Sequence, residues 1–560
     1  MPELDAALAA LRAVVGAEHV ITESSVLSEY GTATFAHENR VRAVVRPVDV
    51  MQVREVVRVA NRFRLQLHPV SRGRNWGLGS RVPVLDDNLV LDLGRMNRIC
   101  DFSEELGYVT VEPGVTFRQL TEYLAGRQSQ LYAAVIGGPP DASLIGNALE
   151  RGDGLGPVGE RSEQCCALEA VSGRGELIRT GLAPYDCEAV TPLWSASVGP
   201  SMHGLLLQSS FAIVTRMTIW LARRPSHFQG VCLTVPSHDA LPRVLEKLRS
   251  LQHDGILKPN SCALWNAYKL MASLMQYPWG ANGQPYASAA ELLAHLPRGL
   301  AGAPWMGMAA LYSASEAHAR VERRLLRKAL GADVSRLIVF HRRSVSLLRP
   351  LRGLITKVAG LDPELLIRLL YSSSPFLGNP TEFSTASAYW RKRTARPASV
   401  HPDRDGCGLH WVCTAVPFEG AHVRKHADIL ERTALEHGLE PNISYLNASP
   451  RLLKCFAVIA YDRAAAGEEE AARACHDAML QRLMAAGYPP LRLGVQSMRL
   501  GMPQDPEHMA LIRQLKSVFD PNDVIAPGHY DYGTSRVTSA LTESSSAPGE
   551  LAARSPRLPG

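Results

Sequence analysis

The sequence predicts a two-domain protein that mixes α-helices with β-strands and carries a nucleotide cradle in its N-terminal half. Three observations lead there. A chain of 560 residues is long for one core and suits two domains, with insertion of one into the other among the arrangements that length allows. Helix and strand signals alternate between residues 47 and 110. Two glycine-rich loops, His68-Pro-Val-Ser-Arg-Gly-Arg-Asn-Trp-Gly-Leu-Gly-Ser80 and Gly137-Gly-Pro-Pro-Asp-Ala-Ser-Leu-Ile-Gly-Asn-Ala-Leu-Glu-Arg-Gly-Asp-Gly154, lie within the first third of the chain. Such loops let successive backbone N–H groups converge on a phosphate, because glycine accepts positive φ and places no side chain between backbone and ligand. A flavin pyrophosphate would fit. Neither loop has the GxGxxG order or the Walker lysine and hydroxyl, which argues against a Rossmann or P-loop nucleotide site.

Along the chain, Asp49 and Gln52 resemble a capping box, after which Val53, Val56, Val57, Ala60 and Phe63 recur at helical spacing. Leu65–Val70 and Asn88–Leu93 alternate at period two, and Gly107–Gly114 reads as a strand ending in a turn. Thr116 with Gln119 starts another helix. A second unit, 226–487, is less regular, with Pro/Gly-rich breaks near 277–304 and 374–408, and would carry substrate specificity. From Gly533 onward the chain is rich in Ser, Thr, Ala, Pro and Gly, and a disordered tail is expected.

Composition narrows the function. With 46% hydrophobic and 20% charged residues the chain reads as soluble and globular, and a net charge of +6 is small for a nucleic-acid binder of this length. Ten cysteines include no CxxC pair, only the adjacent Cys165-Cys166, and Met1-Pro-Glu-Leu-Asp lacks a secretory pattern, so a cytoplasmic location is expected. No apolar run approaches the ~18 residues of a membrane span. Eighteen histidines form neither HExxH nor a Cys/His cluster, so no metal site is expected. Residues 320–357 carry Arg320, Arg323, Arg324, Arg327, Lys328, Arg336, Arg342, Arg343, Arg349, Arg352 and Lys357 against Glu322 and Asp333. An acidic partner would suit this run, but Leu325, Leu326 and Leu330 fit an ordinary amphipathic helix with a solvated face.

Pro47-Val-Asp-Val, Arg72-Gly-Arg-Asn-Trp-Gly, Asn88-Leu-Val-Leu-Asp-Leu, Val111-Glu-Pro-Gly-Val-Thr, Ile145-Gly-Asn-Ala-Leu-Glu-Arg-Gly and Phe519-Asp-Pro-Asn-Asp-Val-Ile-Ala-Pro-Gly, in that order, resemble the vanillyl-alcohol oxidase / p-cresol methylhydroxylase family. Gly199-Pro-Ser-Met-His-Gly and Gln208-Ser-Ser-Phe-Ala-Ile-Val-Thr resemble the segment that closes its flavin domain. The resemblance implies an α+β fold: a split FAD-binding domain of the p-cresol methylhydroxylase type (1–225), an inserted α+β cap or substrate domain (226–487), a C-terminal segment that rejoins the FAD domain (488–532) and the tail (533–560). It implies FAD held by Ser71, Arg72, Gly73, Arg74, Asn75, Trp76, Gly77, Gly137, Gly138, Ser143, Gly146 and Asn147, with Ile213 and Val214 near the cofactor. His410 falls where the oxidase branch bonds a histidine to the flavin 8α-methyl. Covalent attachment there and simple packing beside Trp411 remain alternatives.

The departures bear on substrate. The family's phenol-binding tyrosines read Leu78 and Leu491, leaving Arg492 alone of that set. A buried phenolate without hydrogen-bond donors is costly, which argues against a simple 4-alkylphenol. Arg492 is instead expected to pair with a carboxylate or another anion on the substrate. The family's acid near N5 has no secure counterpart, since the aligned spot reads Gly137-Gly-Pro-Pro; Asp141 is the candidate base, against a turn or cap role. Glycine at 137 leans toward oxygen access. The expectation is an FAD-dependent oxidase that takes hydride from a C–H beside O or N, or a benzylic one, of a small anionic or aromatic metabolite, with dioxygen as acceptor. The rivals are a dehydrogenase that passes electrons to a cytochrome and a flavin-binding protein without turnover. A homodimer is compatible with the sequence, and no nucleic-acid or membrane partner is expected.

Overall fold

The computed structural model of the chain describes residues 2–279, 287–295, 303–341 and 374–532. The expected tail and Arg342, Arg343, Arg349, Arg352 and Lys357 lie outside the described residues.

The first helix of the cradle runs Val50–Phe63. Asp49 caps it by accepting the Gln52 N–H at 2.8 Å, while Gln52 reaches back to the N–H of Val48 at 2.9 Å rather than to that of Asp49. Val53, Val56, Val57 and Ala60 are buried in one cluster with Ala43, Val45, Leu67, Leu89 and Leu91 of a four-stranded sheet. Its order is Val20–Ile21, Val41–Val45, Asn88–Asp92, Leu67–Val70, the last three parallel. Period-two alternation predicts half-buried strands here, yet all five residues of Asn88–Asp92 are buried. The strand is central and parallel, and Tyr30, Val44, Val70 and Val90 close its second face.

An antiparallel five-stranded sheet follows, in the order Ile99–Ser103, Tyr108–Val111, Ala212–Trp220, Cys165–Ser172, Leu177–Arg179. The Thr116 hydroxyl accepts the Gln119 N–H at 3.1 Å and starts the helix Phe117–Gly126. From the far end of the chain, Val524 O accepts the Leu67 N–H and the Ala526 N–H donates to Leu67 O, each at 2.7 Å. The Phe519–Gly528 motif is thereby fastened to the first sheet.

Between these segments lies an antiparallel eight-stranded sheet, in the order Arg336–His341, His227–Val235, Trp305–Ser313, Cys262–Asn266, Asn442–Asn447, Leu452–Asp462, Cys407–Pro417, Pro490–Arg492. Helices Leu241–His253, Glu316–Leu330, Gly420–Glu436 and Glu468–Ala485 bury one of its faces in a single apolar cluster. The last strand joins by pairing Arg492 with Cys413, so the chain is still in this sheet after residue 487. In Glu316–Leu330, Leu326 and Leu330 are buried while Arg320, Arg324, Arg327 and Lys328 are exposed, as an amphipathic helix requires. Among the described residues no helix is long and apolar enough to cross a membrane, and no group of His, Cys, Asp and Glu is arranged to hold a metal.

Candidate active site

The open face of the eight-stranded sheet looks onto the glycine-rich loops across a cleft of about 470 Å³. Ser71 to Trp76, Gly137, Gly138, Ser143, Gly146, Asn147, Ile213 and Val214 line one wall; Ala263, Trp265, Lys269, Leu409, Trp411, Cys413, Lys454 and Phe456 line the other. Leu78, Leu491 and Arg492 lie where the two walls meet.

Local sequence builds the cradle wall. Gly73 and Gly77 adopt φ of +59° and +79°, a region that costs other residues. At Gly146 a Cβ would stand 2.5 Å from Ser71 Oγ, so only glycine lets the two loops close on one another. Ser143 caps the short helix Leu144–Leu149 by accepting the Gly146 N–H at 3.0 Å, and donates to Pro113 O at 2.6 Å. Arg72 Nε and Ser209 Oγ are buried in this wall without a hydrogen-bond partner among the described residues. A flavin dinucleotide supplies acceptors for such groups, so the residues present fit FAD.

Strand alternation decides where His410 goes. Leu409, Trp411 and Cys413 face the cleft; His410 faces the helix-covered side, 2% exposed, stacked on Phe35 at 5.0 Å and on Tyr461 at 5.6 Å, with His476 at 5.2 Å. Burial, and then the neighbouring His476, hold its pKa well below the ordinary imidazole value. A one-residue offset in a strand exchanges faces, so Leu409 and Trp411, and not His410, line the cleft, in keeping with the packing alternative. Gly77 is also turned to the sheet: its N–H donates to Thr34 Oγ1 at 2.9 Å, its carbonyl accepts from Trp411 N at 3.3 Å, and a Cβ would lie 2.1 Å from Trp411 Cδ1. Asp141 lies outside the cleft. It pairs with Arg118 at 2.8 Å in a half-exposed bridge that lowers its pKa, which fits a surface pair and not a base.

The cations of the cleft differ in their partners. Arg492 donates to Asn75 Oδ1 at 2.8 Å and lies 3.5 Å from Glu150, a carboxylate that also accepts from Tyr530 at 3.1 Å. It thus has protein partners, while its Nε is buried without a hydrogen-bond partner among the described residues and it still lines the cleft. Lys454 bonds Asp153 at 2.9 Å and Glu160 at 3.3 Å. Lys269, which sequence reasoning missed, has no carboxylate within ion-pair distance among the described residues. It donates to Ser387 Oγ at 3.2 Å, sits 5.1 Å from the centre of the Trp411 ring, and burial lowers its pKa to about 8. The signal available in sequence was a lone charge in the otherwise uncharged helix Ala267–Leu274.

Comparison with known proteins agrees with this architecture. Residues 41–181 match the FAD binding domain family. The chain is 40% identical to 1'-carboxy-chondrochloren decarboxylase of Chondromyces crocatus over 94% of its own length and 97% of that protein. It is 26% identical to the flavoprotein subunit of the hydroxylating 4-cresol dehydrogenase of Pseudomonas putida, over 94% of this chain and 95% of that one. Its fold superposes on p-cresol methylhydroxylase with a TM-score of 0.83 at 23% identity, covering 95% and 97% of the two chains. It superposes on 4-ethylphenol oxidase of Gulosibacter chungangensis with a TM-score of 0.84 at 22% identity, covering 96% and 98%. With the cradle, the split architecture and the end-to-end likeness in place, the chain belongs to the p-cresol methylhydroxylase / vanillyl-alcohol oxidase family of FAD-dependent oxidoreductases.

Proposed function

We propose that the protein oxidises an apolar-bodied carboxylic acid and releases its carboxyl group as carbon dioxide. The observation that carries this reading is the loss of phenolate chemistry at the meeting of the two walls. Leu78 and Leu491 offer no donor, and Arg492 donates to Asn75 with Glu150 3.5 Å away. The 40% identity to a protein named as a decarboxylase supports the choice of reaction. In electron terms, a hydride leaves the carbon next to the one that bears the carboxylate. The C–C bond to the carboxylate then breaks, and its electron pair becomes a new C=C bond as carbon dioxide departs. FAD, when bound, supplies the two-electron acceptor.

The protein's own groups do the rest. Leu78, Leu491, Trp411 and Phe456 provide apolar surface that excludes water from the reacting end. Asn75 and Glu150 hold Arg492 in the wall of the cleft. Gly137 brings no side chain to the cradle wall it lines, which favours dioxygen as the final acceptor. A protein acceptor is the second reading, favoured by the similarity to a dehydrogenase flavoprotein subunit.

The purified protein is expected to be yellow and to release its flavin on acid precipitation, with His410→Ala unchanged in this respect. Under anaerobic conditions 3-arylpropionates are expected to bleach the flavin with one carbon dioxide per flavin, measured by mass spectrometry, and 4-ethylphenol is not. Bleaching by 4-ethylphenol without carbon dioxide would reject the reading, and oxygen uptake by the reduced protein separates oxidase from dehydrogenase.

A further inference from the structure

We propose that Lys269, seated with Ser387 and Trp411 in the sheet-side wall of the cleft, is the anchor that selects substrates bearing a carboxylate. This rests on the decarboxylation reading above and gives it a recognition site.

An ammonium taken out of water without a counter-charge is expensive, and proteins place one in an apolar chamber only with a partner or a use. Lys269 is 6% exposed, on a helix whose Ala267, Leu270, Met271 and Ala272 are also buried. The cluster around that helix includes Trp76, Met308, Phe376, Trp390 and Leu409, and its partly buried members include Trp265 and Trp411. The Lys269 N–H donates to the Asn266 side chain, which caps the helix, so the residue is fixed at its first turn. From there its ammonium donates to Ser387 and faces the cleft, leaving two of its three N–H groups to offer.

The other cations at the sheet-side end are balanced. Arg492 has Glu150, and Lys454 has Asp153 and Glu160. A carboxylate entering at the sheet-side end therefore meets an ammonium that has no carboxylate partner among the described residues, with the Trp411 ring beneath it and the apolar walls left for the substrate body. Loss of carbon dioxide removes the anion from this position. The neutral product is then held less firmly than the acid from which it came, which favours release of product over its return.

On the elements packed against the Lys269 helix, burial keeps Tyr312, Tyr389 and Tyr445 protonated far above neutrality and lifts Cys262 to about 12. Cys407 and Cys413 on the strand of Trp411 are likewise lifted to about 12. The carboxylates nearest in sequence are engaged elsewhere: Glu291 in the Ser288 capping box, Glu382 with Arg396.

The test uses FAD-loaded full-length protein and calorimetric titration with benzoate, phenylacetate and 3-phenylpropionate, each against its neutral amide. Wild type is expected to bind at least one acid of the series about ten- to a hundredfold more tightly than its amide, the size of a charge-assisted hydrogen bond. Lys269→Met is expected to abolish that preference without changing flavin content, and Lys269→Arg to retain part of it. The preference should be constant from about pH 6 to about pH 8 and fall by up to about tenfold per unit above it until it is lost, as the ammonium loses its proton. A wild type that binds no acid of the series better than its amide, or a Lys269→Met protein that keeps the preference, overturns the proposal. If acids are selected through Lys269 but no carbon dioxide forms, the anchor stands and the decarboxylation reading falls.

Discussion

Two buried lysines face the same cleft in opposite electrical circumstances. Lys454 and Lys269 are 5% and 6% exposed, so desolvation opposes the charge on both. For Lys454 the downward pull of burial is more than reversed by Asp153 and Glu160, and its pKa lies above the ordinary value. For Lys269 burial acts alone and lowers the pKa to about 8. One charge completes a network made within the chain; the other is left for something that enters. Burial alone therefore does not mark a functional cation. What marks it is a missing internal partner together with a position in the cleft wall.

The largest effect expected from this contrast is on stability. Lys454→Met leaves Asp153 and Glu160 facing one another in a dry corner without their cation. Breaking a buried pair in this way costs about 3–5 kcal/mol, so chemical denaturation at pH 7 should show a loss of that order. Lys269→Met removes a charge with no carboxylate partner among the described residues and should be neutral or stabilising. Equal losses in the two variants would break the comparison.

The parts of this arrangement differed in how far sequence revealed them. The cradle was legible because its constraints are local: glycine where φ is positive, Ser143 and Thr116 at caps, and apolar spacing in Val50–Phe63. The return of Phe519–Gly528 to the first sheet was carried by a motif and by nothing local, and it came from resemblance. The sheet-side wall was not legible in the same way. His410 and Trp411 are adjacent in sequence and on opposite faces of one strand, so an alignment uncertain by one residue exchanges a cleft residue for a core residue. The partners of Asp141 and Arg492 were hidden for a related reason: Arg118 and Glu150 lie 23 and 342 positions away in sequence. Lys269 was overlooked because a lone lysine in a short helix is ordinary until its surroundings are known.

The second effect is a dependence on pH. Lys269 has a folded pKa of about 8, below the 10.5 of an unhindered lysine. Between those values the unfolded chain holds the proton and the folded chain does not, so stability rises with pH across that window. Relative to Lys269→Met, the wild type should gain about 2–4 kcal/mol between pH 7 and pH 10.5. Denaturation midpoints of both proteins across that range measure it. Lys454, whose folded pKa is raised, should show no such gain. A flat difference curve for Lys269 would mean that its ammonium has a counter-charge in solution.

The smallest effect belongs to the pair that sequence placed at the chemistry. Asp141 and Arg118 are close in geometry, at 2.8 Å, but their side chains are 44% and 47% exposed, so water screens most of their attraction. Asp141→Asn should cost at most about 1 kcal/mol. Because Arg118 lowers the Asp141 pKa, that contribution is present above pH about 4 and disappears as the pH falls through the depressed value. Flavin content and the acid-over-amide preference should match wild type, since the carboxylate does not reach the cleft. A Asp141→Asn protein that binds flavin normally but no longer bleaches with a bound acid would return Asp141 to the chemistry.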